Sequence, residues 1–107
     1  MSSDESVLAE LSAIQRDQLV AIAQSSQTPC DGFAIQTGIE SIYGAISTGR
    51  HYPNLNTLVD NGFVTKQSQY FDARRHGYSL TSKGDRALRV LVDRYANVRA
   101  SEVAHDN

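Results

Sequence analysis

Ser47 to Gly62, S-T-G-R-H-Y-P-N-L-N-T-L-V-D-N-G, reads as a helix over 47–61 with a stop at each end, and its two faces leave few folds open to the chain. The Ser47 hydroxyl suits an N-cap, accepting from a free amide of the first turn. Gly62, following Asn61, suits the left-handed residue that closes a helix. Between them Tyr52, Leu55, Leu58 and Val59 recur at spacings of three and four and form one apolar stripe. At about 100° per residue, the face turned away from the stripe carries Arg50, Asn54 and Thr57. Arg and Asn make paired hydrogen bonds to guanine and adenine edges in a major groove. The segment is thus a candidate recognition helix, set against the plainer reading of an amphipathic surface helix.

The elements around it favour the first reading. Upstream, S-A-I-Q from Ser12 has the form of a capping box closed by Gln15, and Leu11, Ile14, Leu19, Ile22 and Ala23 supply an apolar face for a first helix. That helix frays near Ser25–Ser26, where S-S-Q-T-P-C-D-G is a polar linker. Asp31 caps a second helix with Ala34, Ile35, Ile39, Ile42 and Tyr43 facing inward, and Gly44 ends it. Two helices joined by so short a turn form a helix-turn-helix. Pro53, inside the third helix, removes a hydrogen bond to the Gly49 carbonyl and is expected to bend or loosen the first turn.

After Gly62 the period changes. F-V-T-K-Q-S-Q-Y-F contains Val64, Thr65, Tyr70 and Phe71, which suit a strand. D-A-R-R-H-G is a turn signal, and Y-S-L returns as the partner strand. This predicts a hairpin with Arg74 and Arg75 at its tip, over 71–77. Thr81 or Ser82 caps a last helix, in which Leu88, Leu91, Tyr95 and Val98 follow the a/d rhythm of a coiled-coil seam. That stripe either pairs with a second copy or caps the domain's own core.

The expected fold is mainly α with a small β-hairpin, in the order α-α-α-β-β-α. Residues 1–10 form a flexible or partly helical arm, 11–81 a winged helix-turn-helix, 82–101 a C-terminal helix and 102–107 a disordered tail. The 107 residues suit one small domain, and no run is long and apolar enough to span a membrane. The N-terminus M-S-S-D-E-S is polar and acidic and does not read as a signal peptide, so a cytoplasmic location is expected. Net charge is −2, yet from Ser47 to Arg86 six basic residues (Arg50, Lys66, Arg74, Arg75, Lys83, Arg86) face three acidic ones (Asp60, Asp72, Asp85). An acidic protein with such a basic centre can dock on phosphates locally.

Several segments, in order, resemble PadR-like transcriptional regulators. S-T-G-R-H-Y-P-N-L-N-T-L-V-D-N-G-F-V is similar to that family's recognition-helix segment. Y-S-L-T-S-K-G, preceded by Arg74 and Arg75, is similar to its wing exit and last helix. L-S-A-I-Q-R-D-Q-L-V-A-I-A and the Tyr-Pro-Asn-Leu run resemble the short PadR-like proteins of haloarchaea. The resemblance spans about residues 11–95 and implies a homodimeric, sequence-specific binder of double-stranded DNA from a halophilic archaeon. Carried over by position, it implies Arg50, Asn54 and Thr57 on base edges, Arg74 and Arg75 on the wing, and Leu88, Leu91, Tyr95 and Val98 in dimerisation. Family members often have a longer C-terminal helical region, so the N-terminal arm is a second candidate for the dimer contact.

Further candidates for DNA contact are Ser47 and Thr48, whose helix N-terminus favours phosphate, together with His51, Lys66 and His76. His51 and Tyr52 lie at or beside the apolar stripe, where packing competes with contact. Cys30 excludes an internal disulfide, being the only cysteine. No basic neighbour in sequence activates it, so a neutral structural thiol is preferred to an oxidant sensor. His51, His76 and His105 have no partner at ligand spacing, so no metal is expected. No phosphate-binding glycine loop, nucleophile triad or carboxylate pair stands out, so neither a cofactor nor an enzyme is expected. The alternative of another class is a winged-helix module that binds a protein, favoured by the acidic pI and the small number of lysines.

Overall fold

The structure, a computed structural model, describes residues 6–69 and 72–105, with the backbone alone at 69, 72–75 and 99–105. A 3-10 turn, Val7–Glu10, precedes α1 (Ala13–Gln24), β1 (Cys30–Asp31), α2 (Gly32–Tyr43) and α3 (Thr48–Asp60). Then come β2 (Val64–Gln69), β3 (Asp72–Leu80) and α4 (Ser82–His105).

Side-chain caps fix where each helix begins. Ser12 and Gln15 form a reciprocal capping box, with Ser12 N donating to Gln15 Oε1 at 2.9 Å. An Asp31 carboxylate oxygen accepts from Phe33 N at 2.7 Å, Ser47 Oγ from Arg50 N at 3.2 Å, and Thr81 Oγ1 from Gly84 N at 3.1 Å. Each such cap stabilises by about 1 kcal/mol relative to alanine. Gly44 at φ 95° and Gly62 at φ 82° take the left-handed backbone that ends α2 and α3.

The three strands form an antiparallel sheet in the order β1-β3-β2. Cys30 lies opposite Tyr78, and Val64 opposite Leu80. The segment read as a polar linker therefore contains a strand. Two residues have no periodicity to detect, and Cys30 is in fact buried at 2% exposure. The hairpin also departs from expectation. Residues 72–77 belong to β3, so the backbones of Arg74 and Arg75 lie within the strand and not at its tip. The tip, including the predicted strand residues Tyr70 and Phe71, lies outside the described residues.

The core joins the 3-10 turn to the helices and sheet through Val7, Leu11, Leu19, Ile22, Ile35, Ile39, Leu55, Leu58, Phe63, Val64 and Tyr78. Residues 6–10, the described part of the expected arm, are tied to the domain: Val7 is buried, and Glu10 pairs with Lys83 at 3.2 Å. Ile42 and Tyr43, expected inside, are 69% and 66% exposed, because the last turn of α2 borders a groove along α1 and does not close it. Ala23 and Ala34 are also exposed.

Helix α4 has 24 residues and runs to His105, beyond the end expected near 101 and into the predicted tail. Its length is about 36 Å, longer than the small core beneath it requires. Ala87 and Leu91 pack inward at 1% and 6% exposure. Leu91, placed in the dimer seam from sequence, therefore serves the chain's own core. Val92, Tyr95 and Val98 stay exposed on the same helix. At its start, Gly84 lies against the Phe63 backbone so closely that a Cβ there would collide with the Phe63 carbonyl oxygen.

Candidate nucleic-acid interface

The rotation of α3 about its own axis decides which side chains it presents, and α1 sets that rotation through two polar contacts. Gln15 Nε2 donates to Asn54 Oδ1 at 3.1 Å, and one turn along α1, Gln18 Nε2 lies 3.2 Å from His51 Nδ1. Gln18 Nε2 also donates to the His51 carbonyl at 2.9 Å. His51 Nε2 lies 3.0 Å from the carbonyl of Gly32, which only accepts, so Nε2 carries the proton and Nδ1 accepts from Gln18. The imidazole is fully buried and neutral: burial lowers its pKa from 6.5, opposed by the Gly32 hydrogen bond and the more distant Glu40 carboxylate. Its edge meets Tyr52 with ring centroids 4.7 Å apart. One His thus links α1, α2 and α3.

The turn between α2 and α3 is held as tightly. Gln36 Nε2 donates to the Ile46 carbonyl at 2.8 Å, and a Glu40 carboxylate oxygen accepts from Ile46 N at 2.9 Å. With both backbone groups of Ile46 tied to α2, the angle between the helices is fixed by side chains on the first of them.

This frame corrects two expected DNA contacts. His51 is at 0% exposure with both ring nitrogens occupied, so it packs and does not reach outward. Asn54 is half-buried, its oxygen held by Gln15 and its Nδ2 donating to the Arg50 carbonyl at 2.8 Å, so one acceptor site and one donor of its amide are committed within the domain. Arg50, Thr57, Ser47 and Thr48 are exposed as expected, with Thr57 Oγ1 donating to the Pro53 carbonyl at 3.0 Å. Helix α3 continues through Pro53. Less than one turn on, Asn56 is exposed on the flank facing the hairpin. The sequence pattern points to Asn54 and passes over Asn56. Only the hydrogen bond from Gln15, 39 residues away from Asn54, tells the two apart.

Between α3 and the hairpin runs a groove bordered by Asp31, Gly32 and Phe33 on one side and by Tyr52, Asn56, Lys66, His76 and Tyr78 on the other two elements. Lys66 is exposed and His76 half-buried, so two of the expected wing contacts share this groove with α3. The side chains of Arg74 and Arg75 lie outside the described residues. Among the described residues no group of three or more His, Cys, Asp or Glu is placed to hold a metal ion, and no helix is long and apolar enough to cross a membrane.

RosR from H. salinarum, solved in its hsRosR-S4 complex, is 27% identical, covers 98% of this chain and 100% of its own, and has a TM-score of 0.75. RosR grown from NaBr gives 27% identity, coverage of 92% and 98%, and a TM-score of 0.69. MepR of S. aureus, solved as a single-residue mutant, shares the fold at a TM-score of 0.79 with 13% identity, covering 95% of this chain and 72% of its own. No curated protein matches in sequence. The model of the transcriptional regulator PadR-like family matches residues 11–90, across the capped helices, the sheet and the start of α4. By that match and by the winged-helix architecture, this chain belongs to the PadR-like family of transcriptional regulators and not to a family of enzymes.

Proposed function

We infer that the protein is a sequence-specific, homodimeric DNA-binding regulator acting in the cytoplasm. Helix α3 enters the major groove, and the hairpin, residues 71–77 included, lies on the flanking backbone or minor groove. The observation that carries this reading is the rotational setting of α3. The α1 contacts turn His51 and Asn54 inward and leave Arg50, Asn56 and Thr57 facing out. Arg50 and Asn56 then read base edges. Ser47 and Thr48 approach phosphate at the helix N-terminus. Lys66, His76, Arg74 and Arg75 contribute phosphate contacts that position the helix without reading sequence. Dimerisation falls to the exposed side of α4, through Tyr95, Val98 and the rim of Leu88, with Val92 added to the set.

The test is selection from random duplex DNA by the purified protein, at low and at molar salt. Enrichment of an inverted repeat with half-site centres about 10 base pairs apart supports reader, dimer and geometry together. A single half-site keeps the reader and removes the dimer. No enrichment from folded protein would overturn the reading in favour of a module for a protein partner. Arg50→Ala is expected to relax preference at one base pair at a cost of about 1–3 kcal/mol, whereas Arg74→Ala with Arg75→Ala weakens all sequences alike and flattens the salt dependence.

A further inference from the structure

Phe33 is the second residue of α2, its amide held by the Asp31 cap at 2.7 Å, and its side chain is 69% exposed. It belongs neither to the core nor to the apolar residues packed against the core. The same groove is lined by Asp31, the cap of α2, by Tyr52 and Asn56 from α3, and by Lys66 and His76 from the two long strands. A duplex straddled by α3 and the hairpin therefore passes Phe33. In a helix-turn-helix the first helix crosses the sugar–phosphate backbone, and the deoxyribose carbons are the uncharged part of that wall.

We propose that Phe33 is an apolar anchor of the DNA complex, its ring packing on the deoxyribose of the strand that runs between α3 and the hairpin. This rests on the DNA-binding reading above. Such a contact releases no counterions, so its contribution persists as salt rises, while the contribution of Lys66 shrinks. A chain with two lysines and a net charge of −2 gains affinity this way without added positive charge.

The test measures binding of the full chain to its selected duplex from about 0.1 to about 1 M salt, where phosphate contacts fade. Phe33→Ala is expected to bind about tenfold more weakly at every salt concentration, in keeping with loss of a half-buried aromatic contact. The slope of log affinity against log salt and the base preference should be unchanged, and Phe33→Leu should recover most of the loss. Lys66→Ala, the contrast, lowers the slope by about one. Thermal unfolding of Phe33→Ala at the wild-type temperature confirms that the loss belongs to the complex. Wild-type affinity in Phe33→Ala, or a changed slope, would overturn the proposal. So would a loss that disappears when deoxyuridine replaces thymidine, because the ring would then be reading a methyl group. If the wild-type chain itself bound no duplex, the functional reading beneath the proposal would fail instead.

Discussion

Replacing Gly84 by Ala sets two known effects against each other in a single methyl group. Alanine in place of glycine inside a helix normally stabilises by about 1 kcal/mol. Here the added Cβ would collide with the Phe63 carbonyl oxygen and lie 3.4 Å from Leu80 Cδ2. The oxygen belongs to backbone and has no rotamer by which to yield, so α4 must move off by about 1 Å to reach ordinary contact distance. That movement loosens the Phe63 carbonyl's bond to Thr81 N at 3.0 Å, the Thr81 Oγ1 bond to the Gly62 carbonyl, and the seat of Lys83 over the Phe63 ring at 4.4 Å. Overpacking of this kind costs about 1–3 kcal/mol, and each loosened hydrogen bond up to about 1 kcal/mol. After subtracting the helix-propensity gain, the net loss centres on about 2 kcal/mol, a fall in Tm of roughly 8–16 °C for a domain of this size. Gly38→Ala is the matched control. It lies in α2, where the Cβ would meet only Ala21 Cβ at 3.9 Å, so the same substitution should stabilise by about 0.4–1 kcal/mol. Urea and thermal unfolding, followed by circular dichroism at one protein concentration, measure both. Gly84→Ala as stable as wild type, or Gly38→Ala no better tolerated than Gly84→Ala, would refute the reasoning.

Other expected outcomes follow from the contacts around α3 and α4. His51 is held neutral by burial, so as pH falls below 6.5 the unfolded chain takes up a proton that the folded chain resists, and stability drops. Urea unfolding at about pH 7.5 and about pH 5.5 should show this drop, and His51→Gln should flatten it whatever its own stability. Asn56→Ala should relax base preference in a duplex selection. Asn54→Ala should leave preference intact and lower stability by about 1 kcal/mol through loss of the Gln15 bond. Tyr95→Glu with Val98→Glu should turn a dimer into a monomer in sedimentation. These side chains are 62% and 57% exposed, so the folded monomer should survive.

The local chemistry of the chain was largely legible in its sequence, because caps and periods are short-range effects. Ser12 with Gln15, Asp31 before α2, Ser47 before α3 and Gly62 after it all stand where their side-chain oxygens or missing Cβ require. The errors came from contacts that close over long separations. Cys30 reads as linker until Tyr78 pairs with it across the sheet. Asn54 and Asn56 are chemically identical, and only Gln15 separates a structural amide from an outward one. His51 sits at the edge of an apolar stripe, where helical spacing alone cannot tell a packed imidazole from a phosphate contact. Leu91 follows the same a/d rhythm as Tyr95, yet Leu91 is buried at 6% exposure and Tyr95 stands 62% exposed, a difference that only the packing of the folded chain decides.

The paired contacts between α1 and α3 also bear on how new binding specificities arise on this scaffold. Positions 51 and 54 hold the helix in place, while 50, 53, 56 and 57 face outward from it. On the DNA-binding reading proposed above, sequence drift at Arg50, Asn56 and Thr57 explores new operators with little cost to folding, because their side chains are not part of the buried frame. A change at either of the inner two puts the rotation of the whole helix at risk, and with it the direction in which every outward side chain points. On that reading, reprogramming the protein amounts to rewriting the outward letters of a dial whose axle is locked by two glutamines.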